Sequence, residues 1–514
     1  MISSLKLNKV ILRSLGSQAL STQTSACPHV QSKITNNENL KPFEKIPVAS
    51  KYSLIRGFLP GGDFYGKNLD DFYRITQLKY GDVFKFPGMF GRRDIVMTFN
   101  PDDFATIFRT EGVWPFRDGL DTLTYHRKVR GAEFFGNVGG LVTEQGELWS
   151  RLRSTVNPVM MSPKAVKDYI PPIDVVAKEF VEVIKQKRDS ETLEVDKNFR
   201  NVMNNWALES IALIALDTRL QCFDEKNKSP DADILINGMH TFFELSYELD
   251  IKPSVWRYFA TPKFNKLMKS LDDVTAAAIK YIDQAKQRMK QQAPKEQDEM
   301  SVLEKLIKID RKVAVVMAMD MLFAGIDTTS TGLTSCLLCL AKNQDKQDLL
   351  REEIKQIPND FLTAKDMNNL PYLRACIKES LRIYPVVSAN ARSAGQDIVI
   401  GGYKVPKGVT VGMPMHVLMH DDKYFKNPKQ FIPERWIKGS DLYKGNSDPF
   451  IYLPFGFGPR SCIGKRLSNM ELEVVLINIL KNFEVEFNHS TENAFKSNTV
   501  NVPNIPLQFK FSDL

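Results

Sequence analysis

The sequence predicts a mainly α-helical fold with small β-sheets, an α+β chain, on three observations. Apolar residues recur with helical spacing from about residue 145 to about residue 355. Within this region, residues 313–342 are apolar on nearly every side, which indicates a long, central, buried helix. Short β-like runs lie before and after it. Because no segment of the 514 residues reads as a linker, we expect one large domain over residues 45–514.

The helical elements rest on periodicity. Residues 178–188 (KEFVEVIKQKR) and 272–292 (DDVTAAAIKYIDQAKQRMKQQ) each place apolar side chains along one helical face. The central segment is long enough to span a membrane, but Asp320 and residues 327–331 (DTTST) interrupt it with polar groups. We therefore expect it to be the core helix of the domain, and a further helix to follow Cys462.

The β-like runs are short and bounded by turn residues. Residues 84–86 (FKF) and 95–97 (IVM) are separated by a glycine-containing turn. Residues 397–413 (DIVIGGYKVPKGVTVGM) predict a hairpin with turns at GG and PKG. Near the end of the chain, residues 483–487 (FEVEF) and 506–511 (PLQFKF) predict two more strands.

Composition excludes several function classes. The net charge of +8 favours an acidic partner, an anionic membrane surface or organelle import. No dense Lys/Arg block with interleaved aromatic residues is present, which argues against nucleic acid as a partner.

Six cysteines are too sparse for a disulfide scaffold. Cys336 and Cys339 have CxxC spacing but lie in an apolar helix, so we interpret them as packing residues. His416 and His420 lack a completing ligand set for zinc.

The first 30 residues are typical of a mitochondrial transit peptide. They contain no acidic residue, and the first one in the chain is Glu38. Lys6, Lys9 and Arg13 share one helical face, with leucine and isoleucine on the opposite face. The apolar run is too short for a secretory signal or a membrane span. A disordered cytosolic tail is the alternative.

Cys462 has an unusual setting for a packing cysteine. It lies in residues 455–464 (FGFGPRSCIG), between glycines, with Arg460, Lys465 and Arg466 nearby. Cationic, backbone-permissive surroundings stabilise a thiolate, which is either a nucleophile or a metal ligand. The segment matches the pattern Phe-x-x-Gly-x-Arg-x-Cys-x-Gly.

Three further motifs precede it in a fixed order: residues 324–329 (AGIDTT), 379–382 (ESLR) and 433–436 (PERW). Each is weak alone, but the four together are specific. The chain resembles a cytochrome P450, and residues 111–131 and 139–161 are most similar to the insect branch of the mitochondrial P450s. The resemblance implies the P450 fold, with the central helix lying over a haem.

The resemblance assigns roles to residues at matching positions. Cys462 is expected to be the axial thiolate ligand of a haem b (iron protoporphyrin IX), the haem ligation that P450s use. The other cofactor-binding residues implied are Phe455, Arg460, Trp149, Arg153 and Arg392. Trp149 and Arg153 lie at i and i+4, on one helical face.

Catalysis and stability are assigned to two further sets. Asp327 and Thr328 resemble the acid–alcohol pair that delivers protons for oxygen activation, and Gly325 is expected to loosen the helix so that water can enter. The alternative for Thr328 is a hydroxyl bonded back to the preceding turn. Glu379, Arg382 and Arg435 resemble the family's buried ion triad, and we expect a structural role for them.

The resemblance also implies partners. Mitochondrial P450s receive electrons from an acidic ferredoxin, and the matching contact cations here are Arg374, Lys378, Lys465 and Arg466. We expect peripheral association with the inner mitochondrial membrane on its matrix side. The substrate is expected to be lipophilic, because the segments that would face it are rich in apolar and aromatic residues. Those segments are residues 114–140, 238–258 and 386–389, with Phe323 and Ala324.

The predicted function is a haem-thiolate monooxygenase. It would insert one oxygen atom from O2 into a xenobiotic or steroid-like substrate, with electrons from NADPH through ferredoxin reductase and ferredoxin. One alternative is a P450-fold isomerase or dehydratase that acts without O2, which can dispense with the pair that this chain retains as Asp327 and Thr328. A non-catalytic ligand binder is a second alternative, and the intact Cys462 and triad motifs argue against it.

Overall fold

A computed structural model describes residues 40–136, 138–293, 295–358, 361–443 and 449–514. The expected transit peptide, residues 1–30, lies outside these ranges. The helices are α1 (Lys51–Phe58), α2 (Leu69–Tyr80), α3 (Pro101–Thr110), α4 (Asp121–Tyr125), α5 (Ala132–Phe135), α6 (Gly146–Met160), α7 (Pro163–Asp168), α8 (Ile170–Lys187), α9 (Phe199–Ala215), α10 (Pro230–Ser246), α11 (Pro262–Gln291), α12 (Val302–Ile309), α13 (Arg311–Ala341), α14 (Gln344–Ile354), α15 (Pro371–Ile383), α16 (Met415–Met419) and α17 (Lys465–Asn482). The strands are β1 (Val83–Phe86), β2 (Ile95–Thr98), β3 (Asn390–Ser393), β4 (Ile398–Ile400), β5 (Tyr403–Val405), β6 (Thr410–Met413), β7 (Phe483–Glu486), β8 (Phe495–Ser497), β9 (Asn501–Pro503) and β10 (Lys510–Asp513).

The predicted fold class is confirmed: about 53% of the chain is helical and the sheets are small. Helix α13 is the central element, and it contacts α9, α10, α11, α12, α14, α15 and α17. Asp310 caps its N-terminus by accepting hydrogen bonds from the backbone N–H groups of Lys312 and Val313. The helix is apolar around its whole circumference because neighbours cover it on every side.

Three positions in α13 break this burial. From Val313 to Ala341, every residue is buried except Ala324, Gly325 and Thr328. These three lie at i, i+1 and i+4, so they share one side of the helix. A patch of accessible surface in the middle of a core helix indicates a void, and a cofactor or substrate could occupy it.

Helix α13 is long and apolar enough to cross a membrane, but 83% of its most apolar window is buried inside the protein. Its polar interruption has a partner. Asp320 forms an ion pair of 2.7 Å with the fully buried Arg127 and accepts the backbone N–H of Leu141 at 2.8 Å. These contacts satisfy a charge that would be costly to leave alone in the core, as expected for a core helix.

The β-structure forms one four-stranded sheet, ordered β1-β2-β6-β3, and three two-stranded ribbons. The predicted hairpin is present as β4 and β5, with Gly401 and Gly402 at positive φ in its turn. The two C-terminal runs pair as β7 and β10, with Val485 opposite Phe511. The sheet packs on α3 to form a second, smaller core beside the helical one.

Candidate active site around Cys462 and the central helix

The loop that carries Cys462 is built by tight turns. Gly456 and Gly458 have φ angles of 70° and 72°, which favour glycine. A Cβ atom on Gly458 would also lie 2.5 Å from the Glu111 carboxylate. Two backbone hydrogen bonds close the loop, from Cys462 N–H to the Phe455 carbonyl at 2.8 Å and from Ser461 N–H to the Gly458 carbonyl at 3.0 Å. The loop thereby presents Cys462 just before α17 begins.

Cys462 differs from the other cysteines in the described part of the chain. Cys222, Cys336, Cys339 and Cys376 are buried, whereas the side chain of Cys462 is exposed. Its low-dielectric surroundings raise the pKa of the thiol, while the backbone N–H of Gly464 and the nearby guanidinium groups oppose that rise. Gly464 has a φ of −83°, so a left-handed turn does not require glycine there, and a Cβ atom on it would lie 3.9 Å from the Cys462 sulfur.

Gly325 has a different role from the one expected. A Cβ atom there would lie 2.7 Å from Cγ1 of Ile211 on α9. The glycine therefore lets two helices pack closely, and α13 continues through it as a regular helix. The hydroxyl of Thr328 donates to the carbonyl of Ala324, one turn earlier, which is the back-bonded alternative. As an acceptor, this hydroxyl retains its lone pairs.

Asp327 points away from solvent and is 1% exposed. One carboxylate oxygen, Oδ1, lies 3.4 Å from Nη2 of Arg200 on α9 and 3.1 Å from Nε2 of His240 on α10. Neither partner was expected from the sequence. Both come from helices distant in the chain, and local periodicity carries no signal for such a pairing.

Arg460 is buried, and each of its three guanidinium nitrogens donates a hydrogen bond. Its guanidinium donates to the carbonyls of Pro115, Leu141 and Glu144 and to the side chain of Gln145, at 2.7–3.3 Å. It also stacks on Trp149, 4.2 Å from the ring centroid. Burial, and then the nearby cations, lower its pKa to about 9. This side chain joins the Cys462 loop to the start of α6.

Arg392 lies on β3 and is also occupied. It is 1% exposed, and its Nε donates to the Glu111 carboxylate at 2.7 Å. Its other nitrogens donate to the carbonyls of Ala391 and Phe457. Glu111 was not expected as a site residue, and the pairing places a carboxylate between Arg392 and Gly458.

Arg153 and Arg117 are cations without an acidic partner. Within the described ranges, the guanidinium of Arg153 has one polar contact, to the Met161 sulfur at 3.8 Å, and its buried Nε has none. Arg117 forms no ion pair with any described residue, and burial lowers its pKa to about 10. Both guanidiniums are close enough to Cys462 to interact with its charge. Sequence reasoning missed Arg117, which lies in the segment interpreted as substrate-facing.

The structure brings Glu379, Arg382 and Arg435 together, each at most 4% exposed. Glu379 accepts two hydrogen bonds from Arg382, at 2.8 and 3.0 Å, and one from Arg435 at 3.2 Å. Trp436 donates to the same carboxylate at 2.8 Å. The remaining arginine donors reach backbone carbonyls of Met419, Gln430 and Asn427.

The four cations expected to contact a ferredoxin differ in whether they already have partners within the protein. Arg374 pairs with Glu473 at 3.1 Å, and Arg466 donates to the carbonyl of Met161. Lys378 and Lys465 are exposed and form no ion pair with the described residues. Burial, and then the charges of Lys465 and Arg374, lower the pKa of Lys378, so these cations lie close together on one surface.

Comparison with known proteins accounts for this arrangement. The family model for cytochrome P450 matches residues 54–511. The chain belongs to the cytochrome P450 family. It is 48% identical to "Probable cytochrome P450 12a5, mitochondrial" of Drosophila melanogaster, over 92% of this chain and 91% of that protein. It is 45% identical to "Cytochrome P450 CYP12A2" of Musca domestica, over 93% and 92%, and 42% identical to the Drosophila "Probable cytochrome P450 12c1, mitochondrial", over 98% of each.

Family membership makes this P450 a monooxygenase that uses a haem, O2, a small-molecule substrate and redox partners. The observed residues fit a haem in two respects. Among the described residues, the buried Arg153 and the half-buried Arg117 carry positive charge without an acidic partner, which suits the propionates of the cofactor. The accessible patch on α13 and the exposed side chain of Cys462 are positions at which the chain could contact the cofactor.

Proposed function

We propose that this P450 is a haem-thiolate monooxygenase that oxidises a lipophilic substrate in mitochondria, with Cys462 as the axial ligand of haem b. The observation that carries this proposal is Cys462 itself, the one exposed cysteine among those described, held by a glycine-built loop. When bound, a thiolate-ligated haem supplies the oxidising chemistry of the reaction. The Gly464 N–H and the nearby cations favour the ionised sulfur that ligation needs.

The cofactor-binding residues divide into two groups in this proposal. Arg153 and Arg117 bind the propionates directly, because their charges have no other acidic partner among the described residues. Arg460 and Trp149 hold the Cys462 loop against α6. Arg392, which pairs with Glu111, and Phe455, whose carbonyl accepts from the Cys462 N–H, would complete the cofactor-binding set.

Asp327 and Thr328 would supply the protons that oxygen activation needs. Thr328 lies on the accessible side of α13 and can accept a proton-donating water. Asp327 is buried behind it. The presence of both residues favours a monooxygenase over an isomerase or dehydratase that acts without O2.

An acidic ferredoxin is the proposed electron donor. Lys378 and Lys465 provide its principal contacts, since Arg374 and Arg466 already have internal partners. Complementary charge at such a surface mainly raises the association rate. The relatives named mitochondrial, with the basic charge of the chain, support this donor over a microsomal reductase.

Peripheral membrane association is proposed for the surface around α1. Tyr52, Leu59 and Tyr65 are 77%, 51% and 56% exposed, and Phe259 is 56% exposed. Arg92, in the turn between β1 and β2, donates to backbone carbonyls of residues 249–252. Exposed apolar and aromatic side chains, together with the basic residues of α1, suit an anionic membrane surface, here the matrix side of the inner membrane.

The substrate proposal is a small lipophilic molecule, either a xenobiotic or a steroid-like compound. Phe323 on α13 packs against Phe242 on α10, with ring centroids 5.0 Å apart. Ala324, next in sequence, is exposed. An aromatic wall beside a small residue leaves room for an apolar ligand near the cofactor.

Two measurements test the proposal. The reduced, CO-bound holoenzyme should give the absorption band of a thiolate-ligated haem, and Cys462→His should lose that band while Cys222→Ala retains it. Product should form with NADPH, ferredoxin reductase and ferredoxin, but not with the microsomal reductase. A normal band in Cys462→His would refute the ligand assignment. Equal turnover with both donors would refute the ferredoxin assignment.

A further inference from the structure

Asp327 is isolated from water by the groups that hold it. Its Oδ1 contacts Arg200 and His240, and its Oδ2 is buried without a partner in the described part of the chain. A carboxyl that passes protons on must regain each one from solvent. Because Asp327 is 1% exposed, a neighbouring group has to return them.

Of the two contacts, only His240 can do this. The guanidinium of Arg200 does not release its protons in proteins. An imidazole gains and loses a proton near neutral pH and has two nitrogens through which to do so. The Nε2 atom of His240 lies 3.1 Å from Asp327, and the side chain is 30% exposed.

Asn204 on α9 makes both protonation states of His240 stable. Its Nδ2 lies 2.9 Å from the same Nε2 atom. When Nε2 carries a proton, the ring donates to Asp327. When it does not, the Asn204 amide donates to the nitrogen lone pair. A partner is therefore in place before and after a transfer.

Water reaches this cluster from outside. A cleft of about 450 Å³ lies between the start of α9 and residues 503–507, and Arg200 is part of its lining. Arg200 is 28% exposed, so solvent extends to a side chain that touches Asp327 without reaching Asp327 itself. Among the ion pairs of the described residues, Asp327 is the carboxylate that contacts His240, and Arg200 is the guanidinium that contacts Asp327.

We propose that His240 returns protons from solvent to Asp327, and that Arg200 fixes the position of the carboxylate. In each transfer the N–H bond at Nε2 breaks, an O–H bond forms on Asp327, and the ring is left neutral with its remaining proton on Nδ1. A hydronium ion from solvent then gives a proton to Nε2 and becomes water, and no electrons move. His240 is a positioning and relay residue that acts through Asp327, so this inference rests on the proposed role of Asp327.

The first test is His240→Gln in the holoenzyme. Glutamine can still donate a hydrogen bond to Asp327 but cannot titrate. Coupling of NADPH use to product, measured across pH in both proteins, should depend on pH in the wild type. The variant should be at least about tenfold less coupled at neutral pH, release more hydrogen peroxide, and lack that pH dependence. His489→Gln, a surface histidine paired with Glu194, should behave as wild type.

The second test does not depend on turnover. In holoenzyme labelled with carbon-13 histidine, the NMR signal that His240→Gln removes belongs to His240. That signal should shift in Asp327→Asn, and the His489 signal should not. No shift would mean that the contact does not exist in solution, and would overturn the inference.

The outcomes separate the two proposals. If Asp327→Asn uncouples the enzyme but His240→Gln keeps the wild-type pH profile, the relay is wrong and the role of Asp327 stands. If Asp327→Asn remains fully coupled, the role of Asp327 is wrong and the relay fails with it. Loss of coupling and of pH dependence in His240→Gln, together with the shifted signal, supports both.

Discussion

The triad and the Cys462 region both bury arginines, but they use them differently. Around Glu379, most donors of Arg382 and Arg435 meet a carboxylate or a carbonyl. Near Cys462, Arg153 has a sulfur contact and no acidic partner within the described residues. Satisfied charge holds a structure together, whereas unsatisfied charge costs free energy until a ligand arrives. This difference agrees with the structural role expected of the triad and with the haem-binding role proposed for Arg153.

Among the predicted changes, breaking the ion triad should have the largest effect on stability. Glu379→Gln leaves two guanidiniums without their buried anion, which should lower the free energy of unfolding by about 3–5 kcal/mol. Denaturant unfolding and the haem content of purified protein measure this. Glu473→Gln is the matched control, because its partner Arg374 is 42% exposed. Equal losses in both variants would contradict the distinction.

Removing the charge of Arg153 should weaken haem binding without lowering the stability of the haem-free chain, which is the opposite of the effect at the triad. Arg153→Gln should leave the unfolding free energy of the haem-free chain unchanged or higher, since it deletes an uncompensated buried cation. Haem dissociation should become about 10- to 100-fold faster, the loss of one charge-assisted hydrogen bond. Transfer of haem to an acceptor protein measures the rate. A variant that is destabilised without haem but keeps its haem tightly would contradict this assignment.

Glu471 is a buried acid that has no cationic partner among the described residues. It is 2% exposed, accepts one long hydrogen bond from Thr329, and burial raises its pKa to about 8. Between about pH 4.5 and 8 the unfolded chain releases this proton and the folded protein keeps it. Stability should therefore fall as pH rises, by at most about 1.4 kcal/mol per pH unit from this group.

Glu471→Gln should remove that slope. Urea midpoints of the wild type and the variant, compared across this pH range, isolate the contribution because other titrating groups are common to both. A constant difference between the two proteins at every pH would show that Glu471 does not titrate there.

The smallest effect is expected at the surface. Lys378→Glu should slow reduction by ferredoxin by about tenfold at low salt and less at high salt, without changing the haem spectrum. Stopped-flow reduction measures the rate, and Lys378→Gln should fall between the wild type and the reversal. If Arg374→Glu were the more damaging change for the association rate, the internal pairing of Arg374 would not decide which cations meet the partner.

Local patterns predicted the parts of the fold that local patterns determine. Helix α13, the β4–β5 hairpin and the tight loop before α17 follow from periodicity and turn residues. The insertion of β6 between β2 and β3 does not, since strand order depends on contacts between distant segments. Period-2 alternation is the same for any of these strand orders.

The candidate site shows the same limit: sequence motifs predict its residues but not the contacts between distant residues. Motifs identified Cys462, Asp327 and the triad members, because each motif is contiguous in sequence. The partners were missed: Arg200 is 127 residues from Asp327, and Glu111 is 281 residues from Arg392. A single buried carboxylate or arginine looks like a surface residue until the fold shows what faces it.

The near-complete burial of α13 has a consequence for how the molecule opens. Apart from its first turn and the accessible patch around Ala324, its amide groups are covered by seven other helices. We expect the hydrogens of these covered amides to exchange with solvent only when the whole domain unfolds. The exchange rate of this one segment therefore measures global stability, whereas α1 and the surface around it exchange through small local openings.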